Sequence, residues 1–70
     1  MTQIKIGDTV RMNEEYLATL DAHTRAEVET ETYCITCIRP MGESAMVEME
    51  EIKTREARST TALWLAPIRA

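Results

Sequence analysis

Two cysteines three positions apart, Cys34 and Cys37, form the pattern in this sequence that comes nearest to a chemical motif. A Cys-x-x-Cys pair binds a metal or exchanges disulfides where a tight turn or a helix N-terminus brings both sulfurs together. Here the pair lies in a run of β-forming residues, and side chains three apart on a regular strand point to opposite faces. We therefore expect no metal site, with Cys37 in the core and Cys34 facing outward or packed elsewhere.

The single histidine and the clustered glutamates do not form a catalytic pattern either. His23 could act as the base of a cysteine nucleophile, but its polar neighbours indicate an exposed loop. Glu48 and Glu50 alternate along a strand pattern and are expected together on its solvated face. The two glycines, Gly7 and Gly42, are isolated, so the sequence has no glycine-rich phosphate loop. We expect no catalytic residue and no cofactor.

The chain is acidic, with a formal charge of −4 at pH 7 from 12 acidic and 8 basic residues. This balance disfavours a general binder of nucleic acid, which needs a basic stripe along the phosphate backbone. A local basic patch would still allow such binding, and we keep it as an alternative function. The members of that patch would be Lys53, Arg55, Arg58 and Arg69.

Trp64 is the residue best suited to anchor a partner, because tryptophan is enriched at binding hot spots. It stands between Leu63 and Leu65 in a strand pattern, so it points either into the core or to the outer face opposite these two leucines. On the outer face it would belong to an apolar patch for a protein partner or a second copy of the chain. The candidate protein-binding residues are Trp64, Met46, Ile38 and Tyr16.

Seventy residues predict one domain, residues 1–70, with a thin margin of stability. A domain of this size buries only about 60% of the surface that its unfolded chain exposes. With no phenylalanine, one tryptophan and two tyrosines, aromatic mass for the core is scarce. Two neighbouring cysteines make no disulfide framework, and small domains without one often associate. Self-association is therefore one of the expected properties.

No segment of the sequence suits a membrane or a secretory signal. The opening residues 1–6 contain no apolar h-region. No stretch approaches the roughly 18 consecutive apolar residues of a spanning helix. We expect a soluble protein of the reducing cytoplasm, without a membrane partner.

The pattern of apolar residues predicts mostly strands. Gly7-Asp8 is turn chemistry, and Val10 and Met12 then alternate inward in a first strand. Asn13 has the features of a helix N-cap, and it starts a short helix that ends near residues 21–24. The later elements are predicted strands at 28–38, 45–50 and 60–65, a loop at 39–44, a turn at 54–61 and a last strand at Ile68.

The two central strands can be paired through their alternation. Opposing Ile35 with Met49 and Cys37 with Val47 puts apolar side chains together, whereas a slip of one residue would place glutamates inside. The same register sets Arg39 opposite Ala45, Glu31 opposite Lys53 and Glu29 opposite Arg55.

The order of these elements resembles that of the SH3-like small β-barrels: a strand, a long loop with a helical turn, a hairpin, a strand, a short turn and a final strand. Gly7-Asp8-Thr9-Val10-Arg11-Met12 is similar to the opening strand of that superfamily. Trp64-Leu65-Ala66-Pro67-Ile68 is similar to its closing strand, turn and strand. The resemblance implies a mainly β fold, a small five-stranded barrel with a short helix in the loop after the first strand.

SH3 domains proper bind proline-rich helices, and the resemblance offers matches for their site. Their acidic loop would correspond to Glu14, Glu15 and Tyr16, and their later elements to Trp64 and Pro67. The first strand of this chain lacks the paired aromatic run of those domains, so the resemblance extends to the barrel and not to proline-rich ligands.

A second group of small SH3-like chains is enzymatic. Type II plasmid dihydrofolate reductases act as tetramers and carry a Val-Gln-Ile-Tyr run where this chain has Thr61-Ala62-Leu63-Trp64. Because one barrel hosts many functions, the fold does not decide among them. We predict a small non-enzymatic interaction module that binds a protein partner or itself. The alternatives are a nucleic-acid-binding accessory protein and a small enzyme with an inter-subunit site.

Overall fold

The computed structural model describes residues 4–68, which are mainly β as predicted. Within this range the strands are β1 (Thr9–Met12), β2 (Tyr33–Met41), β3 (Ser44–Glu51), β4 (Ala57–Thr61) and β5 (Leu65–Pro67), and the helices are α1 (Glu14–Leu17), α2 (Ala22–Val28) and a 3₁₀ helix (Ala62–Trp64). The strands form one antiparallel sheet in the order β4-β3-β2-β1-β5. Both α-helices lie in the connection between β1 and β2, where the sequence predicted one.

The second helix corrects the prediction that the helical segment ends near residues 21–24 and that a strand begins at Val28. Asp21 starts α2, because its side chain accepts the backbone N–H of Thr24 at 2.8 Å. This hydrogen bond lowers the pKa of Asp21 below its ordinary value. Aspartate disfavours helix interiors and favours N-caps, so a residue that weakens one helical pattern here begins another. No helix within residues 4–68 has the length and apolar character needed to cross a membrane.

The core gathers side chains from the sheet and from α1. Val10 and Met12 of β1 point inward as predicted, and Leu17 of α1 is fully buried against them. Burying a side chain of this size contributes about 1.5–3 kcal/mol, so Leu17 attaches the helical connection to the sheet. The buried core residues are Val10, Met12, Leu17, Tyr33, Ile35, Val47, Met49 and Leu65.

The β2–β3 hairpin contains a β-bulge that changes the predicted register. Ile35 lies opposite Met49, as predicted, but beyond this pair the register shifts by one residue. Val47 then pairs with Ile38 rather than with Cys37. A bulge inserts one extra residue into one strand, so that two residues face one on the partner strand. The alternating pattern does not reveal this insertion, because the apolar residues on both sides of it remain compatible with a regular strand.

The bulge also decides where the two cysteines lie. Cys34 is opposite Glu50 and Cys37 is opposite Glu48, so all four residues share the outer face of the sheet. The expectation that Cys37 packs in the core is wrong. Both thiols are free and half-buried. No group of three or more His, Cys, Asp or Glu side chains within the described part of the chain is placed to hold a metal ion.

The hairpin closes in a two-residue turn, Gly42-Glu43, where the sequence predicted a loop over residues 39–44. Gly42 has φ +62°, the left-handed conformation that a tight hairpin turn requires at its first central position. Arg39 and Pro40 therefore belong to β2, and Pro40 rather than Arg39 lies opposite Ala45.

Glu51 holds the connection between β3 and β4. The residue is 4% exposed, and its carboxylate accepts the backbone N–H groups of Lys53 and Thr54. Arg55 adopts φ +64° and donates its N–H to the Glu51 carbonyl at 2.8 Å. Arg55 forms an ion pair with Glu50 at 3.7 Å. These contacts replace the acid–base pairs that the sequence predicted for Lys53 and Arg55.

The segment before the last strand is not the continuous strand predicted at 60–65. β4 ends at Thr61, whose side chain accepts the Leu63 N–H at 3.2 Å and starts the 3₁₀ helix. This helix turns Leu63 to solvent, where it is 70% exposed, and returns Leu65 to the core in β5. The last strand is therefore β5, just before the position predicted at Ile68.

We predict that Glu51→Gln makes the free energy of unfolding less dependent on acidic pH. Hydrogen bonds, that from the Thr54 backbone first, lower the pKa of Glu51 below its ordinary value. A carboxyl whose pKa is lower when folded contributes stability above its unfolded pKa, and this contribution disappears as the pH falls through the folded pKa. Urea unfolding at about pH 7 and about pH 3 should therefore show a smaller loss for Glu51→Gln than for the wild type.

The matched control is Glu43→Gln, in the exposed turn of the other hairpin. This variant should follow the wild-type pH dependence. An equal acid loss for the wild type and Glu51→Gln would contradict the role assigned to the Glu51 carboxylate.

Candidate protein-interaction surface

Asn13 joins the start of α1 to the 3₁₀ helix. Its Oδ1 accepts the backbone N–H of Tyr16 at 3.0 Å, which is the N-cap bond predicted from the sequence. Its Nδ2 donates to the carbonyl of Leu63 at 2.7 Å, and its backbone N–H donates to the carbonyl of Trp64 at 2.8 Å. One residue thus fixes the 3₁₀ helix against the first turn of α1.

This arrangement brings Tyr16 and Trp64, both predicted site residues, into contact. Their ring centroids are 5.5 Å apart and their planes are tilted by 59°, a favourable geometry for an aromatic pair. Both rings are half-buried and pack against the core cluster. Trp64 is therefore placed between the two positions that the sequence left open, because it packs against the core and is still partly exposed.

Leu63 extends this pair into an exposed apolar surface. It precedes Trp64 on the 3₁₀ helix and is 70% exposed, the most exposed of the large apolar side chains at residues 4–68. We call Leu63, Trp64 and Tyr16 the Trp64 ridge. Sequence reasoning missed Leu63 because it read residues 60–65 as a strand. The available signal was Thr61, a residue type that caps helices, two positions before it.

The other two predicted members, Ile38 and Met46, lie on opposite faces of the sheet. Ile38 pairs with Val47 and packs against the core from the inner side. Met46 lies opposite Arg39 on the outer face. The expectation that Met46 and Ile38 extend one patch on the outer face is corrected by the bulge, which moves Ile38 to the inner face. Whether either residue contacts a partner remains a prediction.

A groove of about 320 Å³ runs beside the ridge, between the end of α2 and β4. Tyr16 lines it, so the groove and the ridge are continuous. Its volume is at the small end of the roughly 300–1,000 Å³ range of ligand pockets. We call it the α2–β4 groove; its lining residues are Met12, Tyr16, Glu27, Val28, Glu31, Tyr33, Met49, Arg58, Ser59 and Thr60.

A hydrogen bond between Tyr33 and Glu31 lies in the wall of this groove. The Tyr33 hydroxyl donates to Glu31 Oε1 at 2.5 Å. Burial raises the pKa of Tyr33 well above its ordinary value, and the hydrogen bond to the Glu31 carboxylate raises it further. The Tyr33 hydroxyl therefore stays protonated at neutral pH and donates its hydrogen bond to Glu31. This bond orients the carboxylate within the groove.

The described members of the predicted basic patch each have a glutamate beside them. Arg58 lines the groove and forms an ion pair with Glu56 at 2.9 Å. Arg55 is paired with Glu50 at 3.7 Å, and Lys53 follows the buried Glu51. Arg69 lies outside the described residues. Nucleic-acid binding through these residues stays a prediction, and its test is an affinity that falls steeply with salt.

We predict that Asn13→Ala lowers the free energy of unfolding by about 2 kcal/mol, because it removes a helix cap and a hydrogen bond to the 3₁₀ helix. Asn13→Asp retains the cap acceptor but loses the amide donor to Leu63, so it separates the two contributions. Asp21→Ala is the matched control, since it removes only the cap of α2 and should cost about 1 kcal/mol. Urea unfolding followed by Trp64 fluorescence measures all three. Equal losses for Asn13→Ala and Asp21→Ala would contradict the bridging role.

We predict that Tyr33→Phe reduces the loss of stability at alkaline pH. The folded protein holds the Tyr33 proton above about pH 10, where the unfolded chain releases it. A pKa that is higher when folded contributes stability that is lost as the pH rises towards the folded value. Thermal melts at increasing pH should show a shallower decline for Tyr33→Phe, with Tyr16→Phe as control. Parallel declines for the wild type and Tyr33→Phe would contradict this assignment.

The Trp64 ridge and the α2–β4 groove are adjoining surface features that can receive a ligand. The chain matches no protein-family model, no curated protein and no solved structure. Its function therefore has to be argued from its own geometry and chemistry.

Proposed function

We propose that this protein is a non-enzymatic interaction module that binds a segment of a partner protein across the Trp64 ridge. The observation that carries the proposal is the exposure of Leu63, at 70%, next to a half-buried tryptophan. Single exposed apolar residues are common on protein surfaces and need no explanation. Here the leucine adjoins a tilted aromatic pair, and Asn13 takes part in three hydrogen bonds that fix the segments carrying it, donating two and accepting one.

A rigid surface of this kind is suited to recognition. Partner binding orders side chains at a cost of about 0.5–1.5 kcal/mol each, and a surface that is already ordered avoids part of that cost. Tryptophan and tyrosine together supply large contact area with few rotatable bonds. The ridge therefore contains the aromatic residue types that are enriched at binding hot spots, and it contains no acid–base pair typical of a catalytic site.

The size of the ridge favours a short segment over a second globular copy. A stable interface between folded proteins buries about 800 Å² on each partner. Three side chains are few for such an interface, whereas a linear segment can anchor one or two side chains in a small site. We therefore propose a foreign partner segment, with self-association as the outcome that a concentration-dependent mass would reveal.

The proposed fold is the SH3-like barrel. The chain order of a strand, a helical connection, a hairpin, a strand, a short turn and a final strand supports it, as does the antiparallel pairing of β1 with β5. In this interpretation the 3₁₀ helix is the short turn before the closing strand, and the helical connection replaces the long loop. The barrel supplies a scaffold, and the function rests on the ridge.

We predict that Leu63→Ser weakens partner binding at least tenfold, which corresponds to about 1.4 kcal/mol. Peptides selected from a random displayed library on the immobilised protein serve as ligands, and their affinities are measured by fluorescence anisotropy. Ile52→Ser is the matched control, because Ile52 is an exposed apolar residue at 44% in the β3–β4 connection. Selected peptides should shift the amide resonances of residues 13–17 and 61–65.

Two results would contradict the proposal. One is a set of selected peptides that shift amides elsewhere and bind Leu63→Ser as tightly as the wild type. The other is equal weakening by Leu63→Ser and Ile52→Ser, which would indicate nonspecific apolar adhesion instead of a site.

A further inference from the structure

The geometry points to the occupant of the α2–β4 groove: we propose that the partner segment lies there as an extended strand beside β4 and places a lysine or arginine side chain against Glu31 and Glu27. This inference rests on the proposed function, because it describes the same partner beyond the Trp64 ridge. It adds the conformation of the bound segment and the charge of the side chain that the groove selects.

The first argument is the edge of the sheet. Among the strands of residues 4–68, β4 stands at the end of the strand order and pairs only with β3. Its residues Arg58, Ser59 and Thr60 form one wall of the groove. An edge strand offers backbone N–H and C=O groups to an added strand, a recurrent mode of peptide recognition. The groove thus places a backbone template next to a volume of about 320 Å³.

The second argument is the charge of the opposite wall. Glu31 has the Tyr33 hydroxyl as a hydrogen-bond donor, but no Lys, Arg or His nitrogen at residues 4–68 lies within 4.0 Å of its carboxylate. Of the described cationic side chains, only His23 lies within that distance of Glu27, at 3.7 Å. Arg58, the one lysine or arginine among the described lining residues, is paired with Glu56 at 2.9 Å, and its charge also acts on Glu31 from beyond 4.0 Å. Two carboxylates with no lysine or arginine of the described residues within 4.0 Å favour a cationic ligand group.

The third argument is the lining between these walls. Met12, Val28 and Met49 give the groove an apolar floor, and Tyr16 and Tyr33 give it aromatic walls. The aliphatic stem of a lysine or arginine side chain packs well on such a floor while its charged end reaches a carboxylate. Aromatic faces attract the same cations. Each part of the proposed side chain therefore has a matching contact.

The strand edge, the two carboxylates and the apolar floor favour an extended basic segment over a nucleic acid or a proline-rich helix. A nucleic acid would bring phosphates to Glu27 and Glu31, which repel them. A proline-rich helix has few N–H groups to pair with a strand edge. An extended basic segment satisfies the edge, the floor and the carboxylates together.

The charge is tested with three octapeptides that alternate threonine with lysine, with glutamine or with glutamate. Binding is measured by isothermal titration at low salt and by amide shifts of the full chain. The lysine peptide should shift the amides of residues 58–60 and bind about tenfold more tightly than the glutamine peptide. The glutamate peptide should not bind. Equal affinities for the lysine and glutamine peptides would overturn the assignment of charge.

Variants of the two carboxylates locate the interaction. Glu31→Gln and Glu27→Gln should each weaken the lysine peptide about fivefold and leave the glutamine peptide unchanged. Gln at position 31 keeps an oxygen that can accept the Tyr33 hydroxyl, so a thermal melt close to that of the wild type is expected. Glu43→Gln, in the exposed turn, is the control and should bind like the wild type. Equal effects of all three substitutions would indicate general screening and overturn the site.

Backbone methylation tests the extended pairing. Alternate N–H groups of a strand point to the same edge, so lysine peptides N-methylated on every threonine or on every lysine each block one edge. One of these two peptides should lose binding at least tenfold and the other should keep it. Loss in both or in neither would overturn strand addition at β4.

The outcomes separate this inference from the proposed function. The octapeptides contain no apolar anchor, so their binding does not depend on Leu63. If library-selected peptides bind the ridge while no octapeptide shifts residues 58–60, the inference fails and the proposed function stands. If the octapeptides bind as expected but Leu63→Ser leaves selected peptides unaffected, the groove is a site by itself and the ridge proposal fails.

Discussion

The hydrogen bonds of Asn13 are the interaction on which the proposed binding surface depends. Its side chain accepts the Tyr16 N–H at the start of α1 and donates to the Leu63 carbonyl in a distant part of the chain, so the position of α1 and that of the 3₁₀ helix are set together. Without that connection, Tyr16 and Trp64 would be held by their contact with each other and by their packing against the core. A polar residue at the start of a four-residue helix thus organises an apolar surface whose members come from two segments about fifty positions apart in sequence.

The helical connection between β1 and β2 also explains why a groove is present. Leu17 anchors α1 in the core, whereas α2 has no buried residue and extends beyond it. An ion pair between Arg25 of α2 and Glu14 of α1, at 2.7 Å, links the two helices, and Arg25 also pairs with Glu29 at the C-terminal end of α2 at 3.5 Å. Pairs of this exposed kind contribute little to stability, so α2 covers the inner face of the sheet loosely. The space left between α2 and β4 is the groove.

The edge of β4 at this groove can bind a partner strand, but it can also promote aggregation. An unpaired edge attracts other chains, and proteins protect such edges with short strands and charged side chains. β4 has five residues and carries Arg58, which reaches Glu56 beside it. These features limit indiscriminate pairing while leaving the backbone of residues 58–60 beside the groove. Selectivity for a basic segment then comes from Glu31 and Glu27 on the opposite wall.

Much of the fold could be predicted from local patterns, and the failures have identifiable causes. Alternation placed Val10, Met12, Val47 and Met49 inward, and Asn13 was recognised as a cap because its chemistry is local. The bulge after Ile35 could not be predicted, because an inserted residue leaves the residue types on each side unchanged. It moved Ile38 and Cys37 to faces other than those expected.

The candidate site was predicted only in part, because some of its residues stand out by their type and others depend on the local backbone conformation. Tyr16 and Trp64 were chosen for their residue types, and the structure brings them together. Leu63 was missed because a single 3₁₀ turn reverses the side expected for a strand residue. The hydrogen bond between Tyr33 and Glu31 depends on α2 ending at Val28, and the sequence analysis did not predict this helix. Such features depend on where the helices begin and end, which residue-type preferences alone do not decide.

The most direct test of this account is the backbone mobility of residues 62–64 in the free protein, measured by ¹⁵N relaxation. If Asn13 fixes the 3₁₀ helix, these amides have order parameters of about 0.85, equal to those of the central strands, and Asn13→Asp lowers them. Values below about 0.6 in the unaltered protein would show a flexible segment and would contradict a preformed binding surface.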